Sequence, residues 1–179
     1  PQRGELYCIA WIPTTLKGMR HEWVESIDEV EPTIKALQKQ HGENLNIFVA
    51  LSTFKSEVRE ARNSSHRKCI FIDLDVGEDK AESGKGYATK EDAMVALKSF
   101  VDEAELPDPV FVDSGNGIHA YYIFDEDITI EEWKPYADKF LALCQSKGLI
   151  VDSSVMCDAA RIMRSPNTIN CKKDKAPVA

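Results

Sequence analysis

Ile70-Phe71-Ile72-Asp73-Leu74-Asp75-Val76 is the stretch on which the reading of this chain turns. Apolar residues alternate with acids, and residues two apart in a strand share a face. Ile70, Ile72, Leu74 and Val76 therefore point into a core, while Asp73 and Asp75 point together to the other side. Strand rise holds their Cα atoms only about 6–7 Å apart, so the two carboxylates repel unless a cation lies between them. Oxygen ligands of this kind suit Mg2+ or Mn2+, which bind through one or two carboxylates plus substrate phosphates. A strand end with two solvated aspartates reads the same way, so the pair needs support from elsewhere.

Strands and helices alternate on either side. Residues 6–12 are apolar and bounded by Pro13, which predicts a buried strand, and residues 45–51 predict a second. Residues 68–76 make the third. Between the first two, Pro32 suits a first helical position and predicts a helix to Gly42 with Ile34 and Leu37 inward. Residues 76–86 are charged and contain glycine, the pattern of an exposed loop. Thr89 then offers an N-cap, with Asp92 three residues on, for a helix that aligns Ala93, Leu97, Phe100 and Val101 and is stopped by Pro107 and Pro109. Residues 110–113 and 118–124 read as strands joined by Ser114-Gly115-Asn116-Gly117, a strong hairpin signal. Thr129 and Glu132 form a capping box for a helix whose apolar face uses Trp133, Tyr136, Phe140 and Leu143, ending by Gly148. Residues 149–170 read as short strands and turns. The alternation, with its one hairpin, predicts an α/β or α+β fold with a mixed sheet.

The 179 residues suffice for one domain with a real core that needs no staple. A composition of 43% hydrophobic and 29% charged residues, with nine Gly and eight Pro, excludes collagenous, disordered and low-complexity classes. Apolar runs last only a few residues, so no membrane span is expected. No signal peptide opens the chain and no Met stands at position 1, so it is expected to be a fragment of a longer protein. Twenty-two Lys and Arg against 30 Asp and Glu leave a net charge of −8, which argues against non-specific wrapping of nucleic acid. The cations are clustered nonetheless. Arg59, Arg62, Arg67 and Lys68 precede the acidic strand, and Arg161, Arg164, Lys172, Lys173 and Lys175 crowd the C-terminus. Five scattered cysteines without a C-x-x-C pair predict no disulfide framework and a reducing cytosol. Only His66 and Cys69 have zinc-like spacing.

Two further segments carry chemistry. In Asp113-Ser114-Gly115-Asn116-Gly117-Ile118-His119, glycines and small polar residues at a hairpin tip expose backbone N–H groups able to cradle a phosphate, with His119 within reach. A plain turn followed by a structural histidine fits the same residues. In Val151-Asp152-Ser153-Ser154-Val155, followed by Asp158 and by residues 161–172, a third carboxylate precedes fixed cations. That order would complete a metal-plus-triphosphate site, although a strand with surface charges has the same composition.

Taken in order, the segments at 70–76, 114–119 and 151–155 with 161–172 resemble motifs I, II and III of the archaeo-eukaryotic primase superfamily, in its phage and plasmid primase–polymerase branch. The resemblance covers residues 68–172; the first 65 residues carry no motif. Members of that branch usually have Pro-Gly-Thr where this chain has Pro166-Asn167-Thr168, and Asn is the residue after Gly that best tolerates a left-handed turn.

The resemblance implies a two-lobed α/β (α+β) core with a mixed sheet and an RRM-like palm, residues 1–179 forming a single catalytic core. Residues 1–65 would contribute to the N-terminal lobe and residues 66–173 would be the motif-bearing palm. It implies a template-directed nucleotidyltransferase, a DNA primase, DNA polymerase or both, serving phage or plasmid replication in a host cytoplasm. Asp73, Asp75 and Asp152 would hold two Mg2+ or Mn2+ ions, with Asp158 as the alternative third ligand. His119 would join these acids as a catalytic residue and contact the nucleotide. Ser114, Asn116, Gly117, Arg164 and Lys172 would complete a nucleotide site for dNTPs or NTPs. Arg62, Arg67, Lys68 and Lys173 are expected to meet a single-stranded DNA template, and a helicase domain or partner is expected beyond residue 179. Two other classes share part of the pattern. A non-catalytic RRM-like nucleic-acid-binding module would present stacking aromatics where this strand has acids. A glycosyltransferase-type enzyme grips a diphosphate through the same Asp-x-Asp, but the later arginine and lysine suit a triphosphate better.

Overall fold

The computed structural model describes residues 4–15, 17–172 and 175–179. The first half comprises β1 (Tyr7–Pro13), β2 (Arg20–Val24), α1 (Val30–His41), β3 (Leu45–Ala50), β4 (Ser52–Phe54), β5 (Ser64–Asp75) and α2 (Glu78–Glu82). The second comprises α3 (Lys90–Glu103), β6 (Val110–Asp113), β7 (Gly117–Thr129), α4 (Ile130–Ser146), α5 (Ser153–Met156), β8 (Ile162–Arg164), β9 (Thr168–Asn170) and β10 (Ala176–Val178). One four-stranded sheet has the order β2-β1-β3-β8, the other β4-β5-β7-β6, and β9 pairs with β10. All these pairs are antiparallel. The α+β expectation holds, while the sheet expected to be mixed is antiparallel; among the described residues the one parallel contact is the isolated Val76–Tyr87 bridge.

The palm is the run β5-α3-β6-β7-α4, a β-α-β-β-α unit. Its fourth strand, β4, comes from upstream and lies at the edge beside β5. The alternation in β5 sorts the faces as its sequence demands. Ile72 and Leu74, with Ile118 and Ala120 of β7, pack on Ala93, Leu97, Phe100 and Val101 of α3 and on Phe140 and Cys144 of α4. Asp73 is left on the opposite face, where Phe71 packs with Val155 and Met163 and joins the two sheets. The other lobe covers β1 and β3 with α1, through Ile9, Trp11, Leu45 and Ile47 against Val30, Ile34 and Leu37. The lobes interleave in sequence, because β8 returns from the palm to pair with β3, setting Arg164 opposite Phe48.

Several local expectations need correction. Helix α1 starts two residues before Pro32, because Ser26 and Glu29 build a capping box over a 3-10 turn, Ile27–Glu29, that runs straight into the helix. The segment expected to be loop at 76–86 holds α2. Tyr136 is 59% exposed; α4 instead buries Trp133, Ala137, Phe140 and Cys144, spaced four, three and four apart. Both anticipated caps are formed, Thr89 accepting from the Asp92 amide and Thr129 reciprocating with Glu132. Asn167 does take the left-handed conformation, at φ +61°. The five cysteines are free, and His66 bonds to Glu5 Oε1 at 2.7 Å. Among the described residues no helix is long and apolar enough to cross a membrane.

Candidate active site

Antiparallel register places Asp73 opposite His119 and Asp75 opposite Gly117. This requires the β6–β7 turn to close tightly. A Cβ on Gly117 would lie 2.5 Å from the Leu74 carbonyl oxygen, and Gly115 sits at φ +85°. Polar contacts fasten the tip. The Gly115 amide donates to Asp113 Oδ1 at 2.8 Å, Asn170 Nδ2 donates to the Ser114 carbonyl at 2.8 Å, and Asn116 Nδ2 donates to the Lys172 carbonyl at 3.1 Å. The last two bonds tie the hairpin to the C-terminal segment, although more than fifty residues separate them in sequence.

The result is a cleft of about 180 Å³ lined by Asp73, Asp75, Ser114, Asn116, His119, Arg161, Arg164 and Lys172, with Phe48 and Asn170. Seven residues singled out from sequence thus share one cavity. Gly117 closes the turn, its carbonyl accepting from the Ser114 amide at 3.0 Å. Asp152 lies in a neighbouring cavity of about 440 Å³ with Asp75, Lys80 and Lys85. There it caps α5, Oδ1 accepting from the Ser154 amide at 3.0 Å and hydroxyl at 2.6 Å. Asp158, the alternative third acid, lines neither cavity; its Oδ1 accepts from the Ala160 amide at 2.9 Å.

The cleft's charges are strongly coupled. Burial, reinforced by the negative charges of Asp75 and Asp152, raises the Asp73 carboxyl to about 6, although Arg161 and Lys80 pull the other way. Arg161 Nη2 lies 3.4 Å from Asp73 Oδ2, and Lys80 Nζ lies 2.6 Å from Asp75 Oδ2. Burial, helped by the positive charges of Arg161 and Arg164, lowers His119 to about 4. At neutral pH its imidazole is therefore uncharged, and its 3.8 Å approach to Asp73 is not an ion pair. The Tyr121 hydroxyl meets its Nδ1 at 3.2 Å and fixes the ring. Arg164 is held over the Phe48 ring, with Nη1 donating to Asn46 Oδ1 at 2.8 Å. The buried Nε of Arg161 has no hydrogen-bond partner.

Arg161 and Lys80 are the functional candidates that sequence reasoning did not assign. Arg161 opens the quoted cationic segment, so a signal existed; Lys80 sat in an apparent loop and gave none. The residues expected to meet the template fare unevenly. Arg62 and Lys68 are exposed. Arg67 is corrected: it is 2% exposed and stacked 4.2 Å over Trp133, with Nε and Nη2 donating to internal acceptors and the buried Nη1 left without a partner. Lys173 lies outside the described residues.

Asp73 and Asp75 suit a divalent cation by chemistry, since hard carboxylate oxygens, one of them raised in pKa by burial and then by the other's charge, gain from any cation placed between them. They are not yet a closed cage. Among the described residues no three His, Cys, Asp or Glu side chains converge to hold a metal, and Lys80 and Arg161 neutralise the two acids instead.

No protein-family model matches the chain. A replication protein of Clostridium perfringens is 30% identical over 130 residues, 71% of this chain and 30% of that protein, so the chain spans less than a third of the relative's length. Among solved structures, the AEP domain of the cyanophage S-2L primase-polymerase matches with a TM-score of 0.60 at 15% identity, over 99% of this chain and 80% of that one. The catalytic domain of primase RepB′ in complex with initiator DNA gives 0.61 at 14% identity, over 99% and 77%. The polymerase domain of Mycobacterium tuberculosis ligase D in complex with DNA gives 0.55 at 15% identity, over 99% and 74%. The chain has the fold of these primase and polymerase catalytic domains.

Proposed function

We propose that this chain is the catalytic domain of a replicative nucleotidyltransferase, a primase, DNA polymerase or both, that joins nucleoside triphosphates on a single-stranded DNA template. One observation carries the reading: a single cleft sets the carboxylates of β5 against His119, Arg161, Arg164 and Lys172. A surface strand with two solvated aspartates has no need of such a counter-wall.

The arrangement suits a triphosphate. Arg161, Arg164 and Lys172 would bind its phosphates, the arginines with fixed fork geometry. Neutral His119 would donate one hydrogen bond to a phosphate oxygen without competing for the metal-binding acids, its orientation set by Tyr121. Ser114 and Asn116 would contact the same phosphates from the hairpin tip. Asp73 and Asp75, with Asp152 as the third acid, would hold Mg2+ or Mn2+. Such ions, when bound, supply the Lewis acidity that activates a 3′-hydroxyl and stabilises departing pyrophosphate. Arg62 and Lys68, exposed on the palm's flank, would meet template phosphates.

Incubation with homopolymeric single-stranded templates and labelled nucleotides, with and without primer, in Mg2+ or Mn2+ tests this. The reading requires divalent-dependent incorporation of the complementary nucleotide only. Incorporation that ignores template identity, or none under any condition, would overturn it.

A further inference from the structure

The turn at 158–161, immediately before β8, is held by an unusual concentration of internal donors. Arg67 Nη2 donates to the carbonyls of Asp158 at 3.1 Å and Ala159 at 3.0 Å, while its Nε donates to Ser52 Oγ at 2.9 Å. The hydroxyls of Ser52 and Ser64 reach the same Ala159 carbonyl at 2.8 and 3.0 Å. Arg59 Nη1 donates to the Ala160 carbonyl at 3.0 Å. The next residue is Arg161, whose carbonyl accepts from the Leu51 amide at 3.0 Å and whose guanidinium reaches Asp73.

Stability alone is a poor reason for this construction. Arg67 is 2% exposed, and its bonded acceptors are a hydroxyl and two carbonyls rather than a carboxylate. Burying a guanidinium so is expensive, and apolar side chains of similar volume commonly serve a core as well or better. Its flat face over Trp133 would be filled equally by methionine. What an apolar residue cannot do is grip consecutive carbonyls from one side and fix where the following side chain emerges.

We propose that Arg67, supported by Ser52 and Arg59, is a positioning residue that locks the 158–160 carbonyls so that Arg161 enters the cleft opposite Asp73. The inference rests on the reading above, in which Arg161 meets the phosphates of a nucleotide. Small misplacements of such a group cost binding and rate out of proportion to the distance moved.

The test is a double-mutant cycle of Arg67→Met and Arg161→Met, with Ser52→Ala as a milder cut through the same network. Amide exchange at Ala160 and Arg161 is followed by NMR, and binding of a non-hydrolysable nucleoside triphosphate by calorimetry. Arg67→Met should speed exchange at both amides by more than about tenfold relative to Ile72, and raise the nucleotide Kd roughly tenfold. In the Arg161→Met background the same substitution should change Kd by less than about twofold. Ser52→Ala should repeat the pattern at smaller amplitude, and decides the matter if Arg67→Met does not fold. Unchanged exchange at 160 and 161, or an equal loss of affinity in both backgrounds, would overturn the proposal. If the unaltered protein binds no nucleotide, the functional reading fails, and the exchange data still decide whether Arg67 holds the turn.

Discussion

Replacing Asp73 by Asn removes the charge that the cleft accommodates at greatest cost. In the folded protein this carboxyl titrates near 6, against an ordinary value of 3.8, because it is buried beside Asp75 and within the field of Asp152. A carboxylate pKa raised by folding means that the folded state holds the proton more tightly than the unfolded chain does. The associated stability is fully present below about pH 4, is lost as pH rises through 6, and leaves ionised Asp73 as a net cost at neutral pH. About two pH units at about 1.36 kcal/mol each set that cost near 3 kcal/mol as an upper value. Asn is nearly isosteric and uncharged, so Asp73→Asn should stabilise the metal-free protein at pH 7.5 by about 2–3 kcal/mol, or about 4–12 °C in Tm. Urea denaturation in EDTA from pH 3.5 to 8 is the assay. The difference between variant and parent should be near zero at the acid end and level off above about pH 7. Saturating Mn2+ should shrink it, because only the parent binds the ion well. An Asn variant that is equally or less stable at pH 7.5, or a difference independent of pH, would refute the reasoning.

Other consequences follow from the same geometry. His119→Ala should weaken nucleotide binding about tenfold by calorimetry while leaving template affinity within about twofold, since the ring faces the acids inside the cleft. Arg62→Glu with Lys68→Glu should weaken single-stranded DNA binding and flatten its salt dependence by roughly 0.7 in logarithmic slope for each phosphate no longer neutralised. Arg67→Glu, in contrast, should destabilise the fold by about 3 kcal/mol or more in a denaturant titration, because it reverses a buried charge. Gly117→Ala should cost about 1–3 kcal/mol in the same titration, since its Cβ would meet the Leu74 backbone rather than a movable side chain.

The parts of the fold that sequence exposes are those fixed by local rules. The alternation at 70–76 places the core face and the acid face of β5 correctly, and the N-cap at Thr89 and the capping box at Thr129 start their helices where expected. The Ser114–Gly117 hairpin and the left-handed Asn167 follow from glycine and asparagine chemistry. What local rules miss depends on distant partners. Strand β2, Arg20–Val24, is a charged edge strand with no buried residue, so its pattern has little to show. Strand β8 is three residues long and is defined by pairing with β3, more than a hundred positions upstream. Arg67 looks in sequence like any surface cation; its burial depends on Trp133 and on carbonyls some ninety residues away. Lys80 reaches Asp75 only because α2 folds back after Gly77. The candidate residues carried by short motifs are legible in the sequence, while Lys80 and the supports beneath Arg161 are not.

The most direct measurement is template-directed nucleotide incorporation by the Asp73→Asn, Asp75→Asn double variant beside the unaltered chain, in Mg2+ and in Mn2+. Circular dichroism and amide exchange establish first that both are equally folded. If the acids of β5 are the catalytic metal ligands, the unaltered chain extends or initiates strands and the folded double variant does neither with either ion. Incorporation by the double variant at a rate close to the parent's would contradict the account.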